Sequence, residues 1–132
     1  MKRKQKKHMI KYDLEYVIRA SQKGLFERLS TSSGLSEWFA DNVNQKGKIF
    51  TFEWDGSEQQ AELIYKKENQ IVRFHWLDSE DDDSYFEFRF EIDAITNDLS
   101  LIITDFADED EIDENMELWD TQISELKHVL GA

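Results

Sequence analysis

The C-terminal segment of this chain carries an apolar residue at every third or fourth position, whereas most of the preceding sequence carries one at every second position. The first spacing is typical of an amphipathic helix and the second of strands that bury one face. Neither element buries its apolar side alone, so the two patterns predict a sheet packed against one long helix over residues 110–130. The apolar stripe of that helix consists of Ile112, Met116, Trp119, Ile123, Leu126 and Leu130.

The alternating segments predict six strands, with Asp55-Gly56 as the clearest hairpin turn. After the first strand, Ser21 is placed to cap a short helix, and the run 31–34 separates it from a second short helix. The predicted fold class is therefore α+β: a curved antiparallel sheet of about six strands wrapped around the long C-terminal helix, with two short helices after strand 1. The strands are expected near residues 10–18, 48–54, 61–65, 72–76, 86–92 and 99–106.

The composition favours one intracellular domain. A chain of 132 residues has the size of a single domain, and with no proline it has no proline-rich linker. The absence of cysteine excludes disulfides, cysteine zinc sites and thiol nucleophiles, and it fits a cytoplasmic location. No apolar run reaches the roughly 20 residues of a membrane span, and no apolar stretch follows the basic start as in a signal peptide. We therefore expect a cytoplasmic protein without membrane insertion.

The net charge of −13 is unevenly distributed, because residues 1–8 carry five basic side chains and the remainder is strongly acidic. An acidic body repels phosphate backbones, so nucleic-acid binding is not expected. Residues 1–8 show no apolar periodicity and are predicted to form a basic, disordered arm, which leaves residues 9–132 as one domain. We expect that domain to be a monomer or a weak homodimer.

Five segments carry motifs that go beyond periodicity: Tyr-Val-Ile-Arg-Ala-Ser at 16–21, Leu-Phe-Glu-Arg-Leu at 25–29, Gly-Leu-Ser-Glu-Trp-Phe at 34–39, Val-Arg-Phe-His-Trp at 72–76 and Trp-Asp-Thr-Gln-Ile-Ser-Glu-Leu at 119–126. Together they resemble the START-like superfamily (SRPBCC, Bet v 1-like), and within it the branch similar to the C-terminal domain of the Hsp90 activator Aha1. The resemblance implies a helix-grip fold with a cavity between sheet and helix. The chain departs from the family pattern at Gln22, where proline is common, and at Asp105-Phe106, where a glycine often precedes the last helix.

The aromatic face of the predicted sheet is the candidate ligand site. Its large side chains either fill an ordinary core or line a cavity for an apolar molecule, and the sequence leaves both alternatives open. Trp76 and Trp119 carry indole N–H donors that suit the polar end of a ligand or a backbone carbonyl. We predict a small apolar or amphipathic ligand between Trp76, Phe88 and Trp119. The candidate cavity residues are Trp38, Phe39, Phe52, Trp54, Phe74, Trp76, Phe86, Phe88, Phe90, Met116, Trp119 and Ile123.

No residue pattern indicates a catalytic centre, a metal site or a cofactor. Alternation directs Arg73 and His75 away from the aromatic face, and the outward Glu87 predicts cross-strand ion pairs rather than acid–base chemistry. The acidic runs 78–83 and 105–114 lack the glycine that a calcium-binding EF-hand loop has at its sixth position. Catalytic residues, metal ligands and cofactors are accordingly all expected to be absent.

Three functions follow as alternatives. The first is a non-catalytic START-like domain that holds a small apolar or amphipathic ligand between the sheet and the C-terminal helix. The second is an Aha1-like, co-chaperone-type module that docks a basic protein partner on its acidic surface. The third is a cyclase- or hydrolase-like enzyme, which requires a buried polar residue that the sequence pattern does not reveal. A hollow interior would favour the first and a packed interior the second.

Overall fold

The computed structural model describes residues 9–132, and the predicted basic arm at residues 1–8 lies outside the described residues. The strands are β1 (Met9–Val17), β2 (Asn42–Lys46), β3 (Ile49–Trp54), β4 (Ser57–Lys67), β5 (Ile71–Trp76), β6 (Phe86–Ile92) and β7 (Leu99–Asp108). The helices are α1 (Gln22–Ser30), α2 (Ser32–Leu35) and α3 (Ile112–Leu130), and a 3₁₀ turn at Glu109–Glu111 precedes α3.

The seven strands form one antiparallel sheet in the order β1-β7-β6-β5-β4-β3-β2. The first strand pairs with the last, which places Tyr12 opposite Asp105. The α+β helix-grip prediction is confirmed, because this sheet curves around the long helix α3 and the two short helices follow β1. The predicted strand number was one too low. The additional strand β2 has the sequence Asn-Val-Asn-Gln-Lys and buries only Val43, so it shows no alternation that sequence reasoning could detect.

The two short helices bring an aromatic segment onto the sheet. Thr31 caps α2 by accepting a hydrogen bond from the N–H of Gly34 at 3.0 Å. A Cβ atom at position 34 would collide with the carbonyl oxygen of Glu27 in α1, so the close packing of α1 on α2 requires glycine there. The chain that leaves this tight corner carries Trp38 and Phe39 into the interior, where they are 6% and 3% exposed.

Phenylalanine rings fill the middle of the sheet. The five most central ones are less than 2% exposed, and their ring centroids lie 5.1–6.2 Å apart in a continuous cluster. Helix α3 covers this cluster with Trp119, Ile123 and Leu126, which are buried as the stripe predicted. Much of the aromatic face is therefore an ordinary close-packed core. These phenylalanines are Phe50, Phe52, Phe74, Phe86 and Phe88.

Helix α3 begins at Ile112, two residues after the predicted start, because the 3₁₀ turn occupies the acidic residues before it. It ends at Leu130 and is followed by Gly131, whose φ of 70° is left-handed and suits glycine. Across residues 9–132 we find no helix with both the length and the hydropathy needed to cross a membrane.

Candidate functional site

A cavity of about 390 Å³ lies between one end of the sheet and the N-terminal half of α3. Four aromatic residues, Phe39, Trp54, Trp76 and Trp119, form its walls. Leu118, whose side chain is 57% exposed, stands at the mouth. The polar residues of the lining are Gln59, Asp105, Asn115 and Gln122.

Phe39 joins the elements that form the cavity. Its ring stacks on Trp119 of α3 with a centroid distance of 5.9 Å and meets Trp54 of β3 edge to face at 5.5 Å. Its carbonyl oxygen accepts hydrogen bonds from Trp54 Nε1 at 2.8 Å and from Gln122 Nε2 at 3.1 Å. The wall of the cavity is therefore fixed by hydrogen bonds as well as by packing, so the site is largely formed without a ligand.

Asp105 is the carboxylate of this cavity. It lies on β7 on the same face as Leu101, Ile103 and Ala107, all of which are buried against α3, so its side chain points inward. Its Oδ2 atom accepts hydrogen bonds from Trp119 Nε1 at 2.8 Å and from the Tyr12 hydroxyl at 3.3 Å, and its Oδ1 atom accepts one from the backbone N–H of Phe106 at 2.8 Å. Three donors thus hold an acidic group at the edge of an aromatic interior.

Burial raises the pKa of Asp105 above its ordinary value, although the hydrogen bonds from Trp119, Phe106 and Tyr12 oppose the shift. The same environment raises the pKa of the Tyr12 hydroxyl, chiefly through burial and then through the negative charge of Asp105. Tyr12 therefore remains a hydrogen-bond donor at neutral pH. Because burial raises the pKa of Asp105, the folded state holds a proton on this carboxyl at pH values where the unfolded chain has already lost it.

We expect the substitution Asp105→Asn to change how stability depends on pH. Stability from this group is fully present below the unfolded pKa near 3.8 and is lost as pH rises through the higher folded pKa. The free energy of unfolding of the variant, relative to the wild type, should therefore rise with pH across that window and then level off. A tenfold difference in proton affinity between the folded and unfolded states corresponds to about 1.4 kcal/mol. Denaturant titrations of both proteins between about pH 3 and 8 measure the difference.

Asp93 supplies a control of opposite sign. The backbone N–H groups of Thr96 and Ile95 hold the pKa of this exposed carboxyl below its ordinary value. The stability of Asp93→Asn relative to the wild type should therefore fall as pH rises toward the unfolded pKa near 3.8 and then level off, because the contribution of this carboxylate is fully present above the unfolded pKa and is lost as pH falls through the lower folded pKa. Parallel pH profiles for the two variants would contradict the account of Asp105.

The helix-grip architecture agrees with a comparison of the sequence with protein families, in which the model of the START-like superfamily domain matches residues 6–132. The chain belongs to the START-like superfamily. Among curated proteins none matches the chain.

Several solved structures resemble this domain over nearly its whole length. BfR322 from Bacteroides fragilis is 40% identical with a TM-score of 0.65, and the match covers 92% of this chain and 90% of that one. The Aha1 dimer from Colwellia psychrerythraea is 17% identical with a TM-score of 0.76, and the match covers 92% and 96% of the two chains. DynU16, from the dynemicin biosynthetic locus, is 13% identical with a TM-score of 0.76, covering 92% and 47%. The last two likenesses show the shared fold alone.

The lining of this cavity includes four of the twelve predicted residues, namely Phe39, Trp54, Trp76 and Trp119. Phe88 lies outside the lining, because it is fully buried beneath Trp119 with a ring centroid distance of 5.9 Å. The open space therefore lies near Leu118 at the edge of the interior, and not at the centre of the interface between the sheet and α3. Phe52, Phe74, Phe86 and Ile123 are likewise closed into the core.

The other predicted lining residues also lie outside the cavity lining. Trp38 donates its indole N–H to the carbonyl of Arg28 at 2.8 Å and lines an adjoining groove of about 490 Å³. Phe90 is only partly buried and meets Phe26 of α1 edge to face at 6.2 Å. Met116 is partly buried against the core from α3.

Sequence reasoning missed the polar part of the site. Asp105 breaks the apolar alternation Leu101, Ile103, Asp105, Ala107 on β7, and that single inward acid was the available signal. The lining residues Asn115, Leu118 and Gln122 flank Trp119 on α3 but lie outside the apolar stripe, so the period of the helix did not reveal them. A mouth formed by residues beside the stripe is visible only in three dimensions.

The outer face of the sheet carries the predicted cross-strand ion pair between Arg73 and Glu87, and a second pair within β6. Arg73 Nη2 lies 2.6 Å from Glu87 Oε1, and Arg89 Nη1 lies 3.5 Å from Glu87 Oε2. The guanidinium of Arg73 also lies 4.6 Å from the ring centre of Tyr85. Although Glu87 lies on the outer face of the sheet, it is only 3% exposed, because Arg73 and Arg89 cover its side chain. His75 Nδ1 lies 2.7 Å from the carbonyl oxygen of Ser84 and faces away from the cavity.

Acidic residues do not assemble into a metal centre within residues 9–132, where no group of three or more His, Asp or Glu side chains is arranged to hold an ion. In the loop between β5 and β6, the Asp81 carboxylate accepts the backbone N–H of Asp83, and Ser79 contacts Ser84 at 2.8 Å. These are contacts that order a loop.

Proposed function

We propose that this START-like domain binds a small amphipathic molecule in the cavity beneath α3. The observation that carries the proposal is a space of about 390 Å³ with four aromatic walls and one inward carboxylate. Ligand sites typically measure about 300–1,000 Å³, are mainly apolar and carry a few oriented polar groups. The volume lies near the lower end of that range and therefore favours a small ligand over a long acyl chain.

Trp76 supports the same proposal. Three of the four tryptophans, Trp38, Trp54 and Trp119, donate their indole N–H to protein acceptors. Within residues 9–132 the indole N–H of Trp76 has no such acceptor, although its ring lines the cavity. An indole that faces a cavity favours a partner with a hydrogen-bond acceptor. Trp76 and Asp105 would then orient the two polar parts of one ligand.

The contacts of Asp105 favour binding over catalysis. An enzyme of this fold requires a buried polar residue, and Asp105 has that position. Its described partners are Trp119, Tyr12 and a backbone N–H, all of which use it as an acceptor. Such an arrangement holds a carboxylate in place, whereas general acid–base chemistry requires a proton path to a reacting atom. We therefore assign Asp105 a role in recognition.

Docking of a basic protein is the second candidate. Exposed acidic residues surround the start of α3, and the net charge of −13 would attract a basic surface over long range. The Aha1 of Colwellia psychrerythraea, which shares the fold, is a dimer, so this fold supports protein contacts. Docking would depend on the acidic surface and would not require an open cavity.

A thermal-shift experiment with a matched pair of variants tests the proposal. Ligand at 100 times its dissociation constant should stabilise the fold by about 2.7 kcal/mol, which raises Tm on the order of 10 °C. Leu118→Trp should remove that shift, because the larger ring closes the mouth. Glu117→Trp, on the exposed side of the same helix, should retain it. Equal shifts for the two variants would mean that binding occurs elsewhere, and the absence of a shift across flavonoids, sterols, fatty acids and aromatic amines would favour docking.

A further inference from the structure

The cavity combines aromatic rings and a carboxylate in one small space. Rings of Phe39, Trp54, Trp76 and Trp119 surround it, and the centroid distances along this wall are 5.5–6.2 Å. The faces of such rings carry negative potential and attract a cation within about 6 Å of a ring centre, most strongly for tryptophan. Three of these four walls are tryptophans.

Asp105 adds a formal negative charge to this aromatic wall. A carboxylate offers about four acceptor positions, and three of those on Asp105 are used by Trp119, Tyr12 and the N–H of Phe106. One position therefore stays available on a group that lines the cavity. Within residues 9–132 the cavity lining contains no basic side chain that would neutralise this carboxylate.

We infer that the ligand of this cavity is an organic cation, an ammonium group on a flat aromatic body, with the ammonium bound by Asp105 and the surrounding aromatic rings. This inference rests on the proposed ligand-binding function and specifies its chemistry. The indole rings would stack on the body of the ligand while the ammonium donates a charge-assisted hydrogen bond to the carboxylate.

The electrostatics of the protein act in the same direction. A net charge of −13 raises the local concentration of cations and lowers that of anions. An anionic ligand such as a fatty acid would place its carboxylate against Asp105 or against the open, acidic surface at the start of α3. A neutral ligand could donate a hydrogen bond to the carboxylate but would bring no positive charge to offset the cost of removing that carboxylate from water. Both are therefore poorer matches than an ammonium.

Three ligands with one body test the inference: tryptamine, its alcohol analogue tryptophol, and indole-3-propionate. They share an indolyl-ethyl group and end in an ammonium, a hydroxyl and a carboxylate. Isothermal titration calorimetry at 150 mM salt, where the screening length is about 8 Å, suppresses long-range attraction. Tryptamine should bind at least about tenfold more tightly than tryptophol, and indole-3-propionate should bind most weakly.

Two variants separate the local carboxylate from the net charge. Asp105→Asn should reduce the preference for tryptamine over tryptophol about tenfold, whereas Glu117→Gln, which removes the same charge outside the cavity, should leave it unchanged. If Asp105→Asn does not fold, the three ligands on the wild type and on Leu118→Trp still decide the question. Equal or tighter binding of tryptophol or indole-3-propionate at the cavity would overturn the inference while ligand binding itself stands. Absence of binding by all three would also overturn it, and the wider ligand screen then decides whether the cavity binds anything.

Discussion

Replacing Trp119 with alanine should lower the free energy of unfolding by about 3–5 kcal/mol, a large part of the 5–15 kcal/mol that stabilises a typical domain. Trp119 is 6% exposed and contacts the rings of Phe39 and Phe88 at 5.9 Å. It also donates its indole N–H to Asp105. The substitution removes the ring that joins α3 to the sheet and leaves the carboxylate without its shortest side-chain hydrogen bond. Equilibrium denaturation measures the loss.

A milder substitution separates packing from hydrogen bonding. Trp119→Phe retains an aromatic ring but removes the N–H donor, so it should cost about 1–3 kcal/mol, less than the alanine variant. In an Asp105→Asn background the same change should cost less, because no charged acceptor is then left unsatisfied. If the phenylalanine variant costs as much in both backgrounds, the hydrogen bond to Asp105 contributes nothing specific, and packing explains the whole effect.

The fold was predictable because its periods are regular. Strands that bury one face repeat every two residues and α3 repeats every three or four, so the order of elements followed from the sequence. The strand β2 was missed because it is polar and contributes only Val43 to the core. Its position follows from pairing with β3, and pairing of backbone groups leaves no side-chain pattern.

The site was only partly predictable, because an aromatic residue looks the same in the sequence whether it fills a core or lines a cavity. Alternation placed Trp76 and Phe86 on the inner face correctly, yet Trp76 lines the cavity and Phe86 is 1% exposed beneath it. Their difference lies in depth under α3, which depends on sheet curvature and on the path of the Trp38-Phe39 segment. Asp105 interrupts the apolar alternation of β7, but the sequence reasoning overlooked it, and its donors Trp119 and Tyr12 come from two other elements, α3 and β1.

Phe86→Ala should also cost about 3–5 kcal/mol, whereas Phe90→Ala on the same strand should cost clearly less. Phe86 is 1% exposed, and its ring contacts Phe74 at 5.1 Å and Trp76 at 4.9 Å, so its removal leaves a cavity that rigid neighbours cannot fill. Phe90 is only partly buried at the edge of the core, where neighbours and solvent can occupy the space. Denaturant unfolding of the two variants measures the difference.

The same pair of variants tests where the open space of the domain lies. Phe86 lies beneath Trp76, a wall of the cavity, so Phe86→Ala should enlarge that cavity and admit a larger aromatic ligand, while Phe90→Ala should leave ligand binding unchanged. A loss of stability for Phe86→Ala as small as that for Phe90→Ala would show that α3 and the sheet rearrange around a missing ring. In that case the interior is more adaptable than close packing implies, and the volume of the cavity in the unliganded protein would not limit the size of its ligand.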